Sequence, residues 1–209
     1  MTATPEGEIH VWEADLDAAG WPGPQSLPAA ERERAERLLR PLGRRRWVAA
    51  RWALRGVLGR YTDLPPAEIE LRAGDGGKPR LEGAEEGLRF NLSHSHGLAA
   101  VAVAVGAEVG IDIEWIDPDR DIEALAPRAL DATGAERVVA APPARKPEVF
   151  HAAWTRREAV GKCLGVGLAS PPPGARVAVA PLEVRPGFAA AVAIAAESVP
   201  PLRRFEIAP

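Results

Sequence analysis

The chain has 209 residues, enough for one large domain or two small ones with a sizeable buried core. Its formal net charge of -3 argues against a general nucleic-acid binder, and its single cysteine, Cys163, excludes an intrachain disulfide framework and favours the reducing cytosol. No apolar run approaches the roughly 20 residues of a membrane helix, and the opening MTATPEGEIH has no basic region leading into an apolar one, so the expectation is a soluble cytoplasmic protein with no membrane and no nucleic-acid partner.

GEIHVWEADL alternates apolar and polar residues, the period of a half-buried strand. WPGPQSLP is a Pro/Gly loop. From Ala29 the pattern is helical, with ERERAERLLR ending at Pro41. RRRWVAARWALRGVLGRY has the apolar spacing and the helix formers of a long helix. IELRAG predicts a strand, GDGGKP a turn, and LRFNLSHS a strand or extended loop. LAAVAVAV and VGIDIEWI predict two strands joined by a tight connection through Gly106. Beyond Pro118, DIEALAPRALDATGAERVVAA predicts helix in two pieces and PPARKP a loop. EVFHAAWTRREAVGKCLG predicts a helix that GLASPPPG stops. RVAVAP, LEVRP, FAAAVAIAA and RRFEIA predict strands. Both halves therefore follow the order strand, helix, helix, strands. Trp47, Arg51 and Arg55 repeat the spacing of Trp154, Glu158 and Lys162, and Leu-Gly follows both sets. Internal duplication and chance likeness between two Ala/Arg-rich helices both explain this.

In GIDIE, Asp112 and Glu114 project from one strand face, and Ile111 and Ile113 from the other. Adjacent carboxylates repel, and a hard cation such as Mg2+, which also takes phosphate oxygens, relieves that repulsion. A surface strand with two solvated acids is the other reading. In WTRREAVGKCLG, Trp154, Glu158 and Lys162 share one helical stripe, with Arg157 beside Glu158. They are either an ordinary Glu-Lys pair with a core tryptophan, or a third metal carboxylate or base with two cations for phosphate. In NLSHSH, Ser93 and His94 can donate to a phosphate or nucleotide. Adjacent Ser and His do not give triad geometry, and no G-x-S-x-G elbow is present. His10, His96 and His151 read as surface or packing residues, and no zinc-motif spacing is present. The arginines from Arg32 to Arg60 read mostly as solvated helix faces, although guanidinium suits bidentate phosphate contact. GDGGKP adds Lys78 on a turn stiffened by Pro79 and lacks the order of a phosphate-cradling loop.

GKP, FNLSHS, GIDIE and WTRREAVGK run from Lys78 to Lys162, about the middle two-fifths of the chain. In that order they resemble the successive motifs of the 4'-phosphopantetheinyl transferase superfamily, closest to its long, two-subdomain type that serves biosynthetic carrier proteins. The resemblance implies an α/β (α+β) fold: two similar subdomains in pseudo-two-fold arrangement, each with helices packed on a small, mostly antiparallel sheet. Residues 1–108 would form the N-terminal subdomain with coenzyme A-binding residues, and residues 109–209 the C-terminal subdomain with metal-binding and catalytic residues. It implies transfer of phosphopantetheine from coenzyme A to a serine of an apo acyl or peptidyl carrier protein, with release of 3',5'-ADP, by a monomer.

Residue by residue, the resemblance makes Asp112, Glu114 and Glu158 the ligands of Mg2+, or of Mn2+ in its place. Glu158 is also the candidate base, and Lys162 the lysine on the substrate phosphates. Ser93 and His94 match a pair that contacts coenzyme A around its 3'-phosphate and diphosphate, Lys78 and Pro79 the turn beside the adenine nucleotide, and Arg46 an arginine gripping the 3'-phosphate. Arg34 loosely matches another basic contact. Two residues depart from the family pattern: Arg157 stands where lysine is usual, as a further phosphate cation, and Glu31 lies near where some members carry a basic residue. The same residues leave two other functions open, a Mg2+-dependent nucleotide phosphodiesterase and a non-catalytic coenzyme A-binding module.

Overall fold

The period-two and helical patterns become nine strands and five α-helices among the described residues. The computed structural model describes residue 2 and residues 5–74, 77–82 and 87–209. β1 (Ile9–Asp15) precedes α1 (Ala29–Glu36) and α2 (Pro41–Thr62), which are followed by the short β2 (Leu71–Ala73) and β3 (Pro79–Leu81). Next come β4 (Leu88–Ser95), β5 (Leu98–Val105) and β6 (Val109–Trp115). The helices α3 (Ile122–Ala129), α4 (Ala132–Ala140) and α5 (Lys146–Leu164) lead to β7 (Ala178–Leu182), β8 (Phe188–Ile194) and β9 (Leu202–Glu206). The fold is mixed α/β, with three small sheets ordered β4-β5-β1-β9, β2-β3 and β6-β8-β7. Every described pairing is antiparallel except that of β1 with β9.

The central strands of the first sheet, β1 and β5, are buried on both faces. Trp12 and Ala14 of β1, with Ala99, Val101 and Val103 of β5, pack against Ala50, Leu54, Val57 and Leu58 of α2. Ile9, Val11, Ala100 and Ala102 face the other way, onto Val109, Ile111 and Ile113 of β6 and Val192 and Ile194 of β8. The far face of that second sheet, through Ala191 and Ala193, meets Ala159 and Cys163 of α5. The layers are therefore α2, first sheet, second sheet, α5. Small residues at the sheet-sheet contact let the backbones approach closely.

Helix ends follow local chemistry. Pro41 and Pro147 lie in the first turns of α2 and α5, where the missing N–H has no intrahelical partner to lose. Asp121 and Asp131 cap α3 and α4 by accepting from Ala124 N and Gly134 N. Gly165, at φ 70, ends α5.

The tight connection expected through Gly106 is present, and it carries the chain from one sheet to the next. Three expectations need correction. The helix expected to run up to Pro41 ends at Glu36, and Arg44 folds back to donate to the freed carbonyls of Glu36 and Leu38. RVAVAP and LEVRP are not two strands but contribute to one, β7, which runs through Pro181 to Leu182. The helix beginning at Lys146 absorbs the end of PPARKP. The Asp75–Gly76 part of the expected GDGGKP turn lies outside the described residues.

Candidate active site

Strand alternation decides what β6 offers to α5. With Val109, Ile111 and Ile113 buried between the sheets, Gly110, Asp112 and Glu114 project from the opposite face. Gly110 has no side chain, and the backbone of α5 at Ala159 and Cys163 lies directly against it. That close approach brings Lys162, the neighbour of Cys163, onto Asp112 of β6, with Glu158 one helical turn earlier on the same stripe.

Asp112 is 3% exposed. Its Oδ1 accepts from Ser93 Oγ at 2.9 Å and from Lys162 Nζ at 2.6 Å. Its Oδ2 is buried with no hydrogen-bond partner among the described residues, and so is Oε1 of Glu158. Burial pushes the Asp112 carboxyl up to about 6, although the Lys162 ammonium and the Ser93 hydroxyl pull it down. Glu114 accepts from Ser95 Oγ at 2.9 Å.

A cleft of about 350 Å3 runs along β4, lined by its residues from Phe90 to His94. Trp47, Arg51 and Leu54 of α2 and Arg34 of α1 line one side, Gly77 and Pro79 flank it, and Lys162 reaches in from α5. The guanidinium groups of Arg34 and Arg51 lie 5.8 and 5.9 Å from the Trp47 ring centroid, within cation-π range. His94, an exposed residue, also lines the cleft; partial desolvation by the surrounding protein, with Lys162 and Arg51 opposing a further positive charge, sets its pKa below the ordinary histidine value. Glu31 pairs with Arg51 and with the buried Arg55. Burial alone would raise the Glu31 carboxyl, but the two guanidinium groups outweigh it and hold it low.

The residues picked out from sequence divide into two groups. Asp112, Ser93 and Lys162 are joined by hydrogen bonds, and Ser93, His94, Pro79 and Lys162 line the cleft. Ser93 and His94 are adjacent yet point to opposite faces of β4, so Ser93 holds Asp112 while His94 faces the α2 side. The lysine of the expected nucleotide turn and two expected phosphate cations are engaged with partners within the chain. Lys78 is 9% exposed, and its ammonium donates to Glu108 Oε2 and to the carbonyls of Val109 and Cys163. Arg46 forks onto Asp17, at 2.6 and 2.9 Å. Arg157 donates to the carbonyls of Ala129 and Leu168. Sequence reasoning missed Trp47 and Arg51 as cleft residues; their i, i+4 spacing on a predicted helix, which repeats that of Trp154 and Glu158, was the available signal.

The donor set fits a divalent cation in part. Two buried carboxylate oxygens with unused lone pairs, on Asp112 and Glu158, suit a hard ion that keeps waters and takes phosphate oxygens. Among the described residues no group of three His, Cys, Asp or Glu is assembled as a cage, and Glu114 is turned to Ser95. Such a site needs substrate and water oxygens to complete it.

The family model for the 4'-phosphopantetheinyl transferase superfamily matches residues 108–189. The chain is 37% identical over 172 residues to 4'-phosphopantetheinyl transferase HetI of Nostoc sp. (strain PCC 7120), covering 78% of this chain and 70% of HetI. This chain belongs to the 4'-phosphopantetheinyl transferase superfamily. It is also 36% identical over 139 residues to 4'-phosphopantetheinyl transferase AcpT of Escherichia coli (strain K12), covering 66% of each chain. A 27% identity over 189 residues links it to a phosphopantetheinyl transferase of Thraustochytrium sp., covering 78% of this chain and 63% of that one. The superfamily match begins at Glu108 and contains Asp112, Glu114, Glu158 and Lys162, whereas the cleft wall formed by Arg34, Trp47 and Arg51 lies outside it.

Proposed function

We propose that the chain is a 4'-phosphopantetheinyl transferase that moves phosphopantetheine from coenzyme A to a serine hydroxyl of an apo acyl or peptidyl carrier protein. One observation carries this reading: Lys162 lines a cleft walled by tryptophan and arginine and also donates to Asp112, whose second carboxylate oxygen is buried without a partner among the described residues. The enzyme names of its relatives support it over a phosphodiesterase or a non-catalytic binding module.

The chemistry follows from charge and position. The flat face of Trp47, with the Arg34 and Arg51 guanidinium groups beside it, suits a nucleotide base and its phosphates. Lys162 lines the cleft while touching Asp112, so its ammonium lies where a diphosphate entering the cleft would carry negative charge. The serine oxygen forms a bond to the phosphorus of phosphopantetheine, and the bond from that phosphorus to the bridging oxygen of 3',5'-ADP breaks. The serine proton passes to Glu158, directly or through a water. Mg2+, or Mn2+ in its place, held by Asp112 and Glu158 with Glu114, supplies Lewis-acid charge at the diphosphate when bound. Ser93 keeps Asp112 aimed at that position, and burial keeps water from competing for its oxygens.

On this reading the working unit is one chain, since the cleft-lining residues of α2, β4 and α5 belong to the same polypeptide, and its single cysteine favours the reducing cytoplasm. A division at residues 108 and 109 rests on the change of sheet there, with β9 returning to the first sheet. No described helix is long and apolar enough to cross a membrane.

The test is intact-mass analysis of apo acyl and peptidyl carriers incubated with the chain, coenzyme A and Mg2+. Gain of one phosphopantetheine per carrier is expected. Unmodified carriers across both classes overturn the proposal.

A further inference from the structure

β4 and β6 are the edge strands of different sheets, yet they run side by side. Side chains, not backbone, join them. Asn91 Oδ1 accepts from Ile111 N at 2.9 Å, Ser93 Oγ from Ile113 N at 3.3 Å and Ser95 Oγ from Trp115 N at 3.1 Å. The partners step together by two residues, so the strands point the same way, and each bond satisfies a backbone N–H that the sheet edge leaves open.

The two serines do a second thing. Each accepts from the N–H that follows an acid, which leaves its own proton to point at that acid. Ser93 accepts from Ile113 and donates to Asp112; Ser95 accepts from Trp115 and donates to Glu114. The unit is repeated two residues on, with the same atoms in the same roles. At the start of the series, Asn91 stands beside Gly110, which has no acid to hold.

Glu114 needs such a restraint more than Asp112 does. Asp112 is buried and also held by Lys162, whereas Glu114 is half-exposed, has a longer side chain and forms no ion pair among the described residues. Fixing a free glutamate side chain costs rotamer entropy. A hydroxyl already fixed by a backbone N–H supplies the restraint.

We propose that Ser95 is a positioning residue for Glu114, and that Asn91, Ser93 and Ser95 form a side-chain ladder holding the acids of β6 in register with α5. This rests on the transferase reading only in treating Glu114 as a metal-site acid. Ser95→Ala removes both bonds; Ser95→Thr keeps the hydroxyl.

Mn2+ uptake, followed by water-proton relaxation on the protein alone, is the primary readout. Ser95→Ala should weaken Mn2+ binding by about tenfold or more, the range for losing an outer-shell partner, and Ser95→Thr should restore it. In a Glu114→Gln background, Ser95→Ala should weaken Mn2+ little further, because the two groups act as one unit. Amide exchange at Trp115 should quicken in Ser95→Ala and stay slow at Ile111, which reports the ladder with no metal present. In turnover, the Mn2+ concentration for half-activation should rise while KM for coenzyme A stays within about twofold. Unchanged Mn2+ affinity in Ser95→Ala, an equal loss with and without Glu114, or a wild-type protein that takes up no Mn2+ overturns the proposal. Failure of the transferase reading looks different: wild-type protein leaves carriers unmodified, while metal uptake and amide exchange still report on Ser95.

Discussion

A Cβ placed on Gly110 would overlap the carbonyl oxygen of Ala159 and the backbone nitrogen of Cys163, and would come within 2.9 Å of the Cys163 Cα. Backbone atoms have no rotamer to swing away, so any side chain at residue 110 must push α5 off β6. Glu158 and Lys162 flank those contact points and would move with the helix. Gly110→Ala should therefore cost at least the ~1–3 kcal/mol of core overpacking and abolish most transfer to a carrier. Urea denaturation and a carrier-loading assay check the two effects together. Wild-type stability with wild-type turnover would mean that α5 has slack the packing does not show.

Burial lifts the Asp112 carboxyl from its ordinary 3.8 to about 6. The folded chain thus holds a proton there more tightly than the unfolded chain does. The sign follows: this stabilisation is fully present below the unfolded value and is lost as pH rises through about 6. At neutral pH the metal-free protein carries a charge its surroundings disfavour. Asp112→Asn keeps a polar partner for Ser93 and removes that charge, although it also leaves Lys162 without its ion pair. It should be more stable than wild type at pH 8, by on the order of 1 kcal/mol, with the gap narrowing at pH 5. Denaturant titrations at both values, without metal, measure the gap. The same variant should lose transferase activity, because the lone pairs offered to a cation are gone.

Lys78 separates a role expected from sequence from one seen in the fold. Its ammonium bridges Glu108 to the carbonyls of Val109 and Cys163, at the point where the chain enters the second sheet and meets the end of α5. Arg80 and Arg89 also hold Glu108, so the carboxylate survives loss of the lysine, but the two carbonyls do not regain a donor. Lys78→Met should cost about 1–3 kcal/mol per stranded polar group and leave KM for coenzyme A near wild type. A large rise in KM at unchanged stability would instead return Lys78 to the nucleotide site.

These cases show which features were legible in the sequence. The facing of Asp112 and Glu114 against Ile111 and Ile113 was readable because strand period is local. The long helices were readable from apolar spacing. Pro181 misled because proline usually ends a strand, yet β7 is an edge strand, where a missing N–H costs no ladder bond. Lys78, Arg46 and Arg157 were recognisable as cations, but their partners at Glu108, Asp17 and the Ala129 carbonyl are set by tertiary contacts. Gly110 read as one more glycine, because its importance lies in a helix fifty residues away. Asn91, Ser93 and Ser95 carried an alternation that was visible, but without β6 beside them nothing marked it as a ladder.

Glu31 tests how the cleft handles charge. Its carboxylate pairs with Arg51, which lines the cleft, and with Arg55, which is 2% exposed. The guanidinium of Arg51 is therefore partly neutralised before any phosphate arrives. Glu31→Gln should release that charge and lower KM for coenzyme A severalfold at low ionic strength, with the gain fading as salt shortens the screening length. The cost falls on the fold. Arg55 keeps the Pro66 and Ile69 carbonyls but loses its ionic partner, which should destabilise the chain by about 3 kcal/mol or more if no water enters. Because the Glu31 carboxyl is held low in the folded chain, its stabilisation is present above its ordinary value of 4.5 and is lost as pH falls below it. Wild type should therefore lose its advantage over Glu31→Gln on acidification, the reverse of the Asp112→Asn pattern. Coenzyme A kinetics at two salt concentrations and denaturation at two pH values decide it. A higher KM in Glu31→Gln would show that Glu31 is needed to aim Arg51, and that its charge is not a brake on phosphate binding.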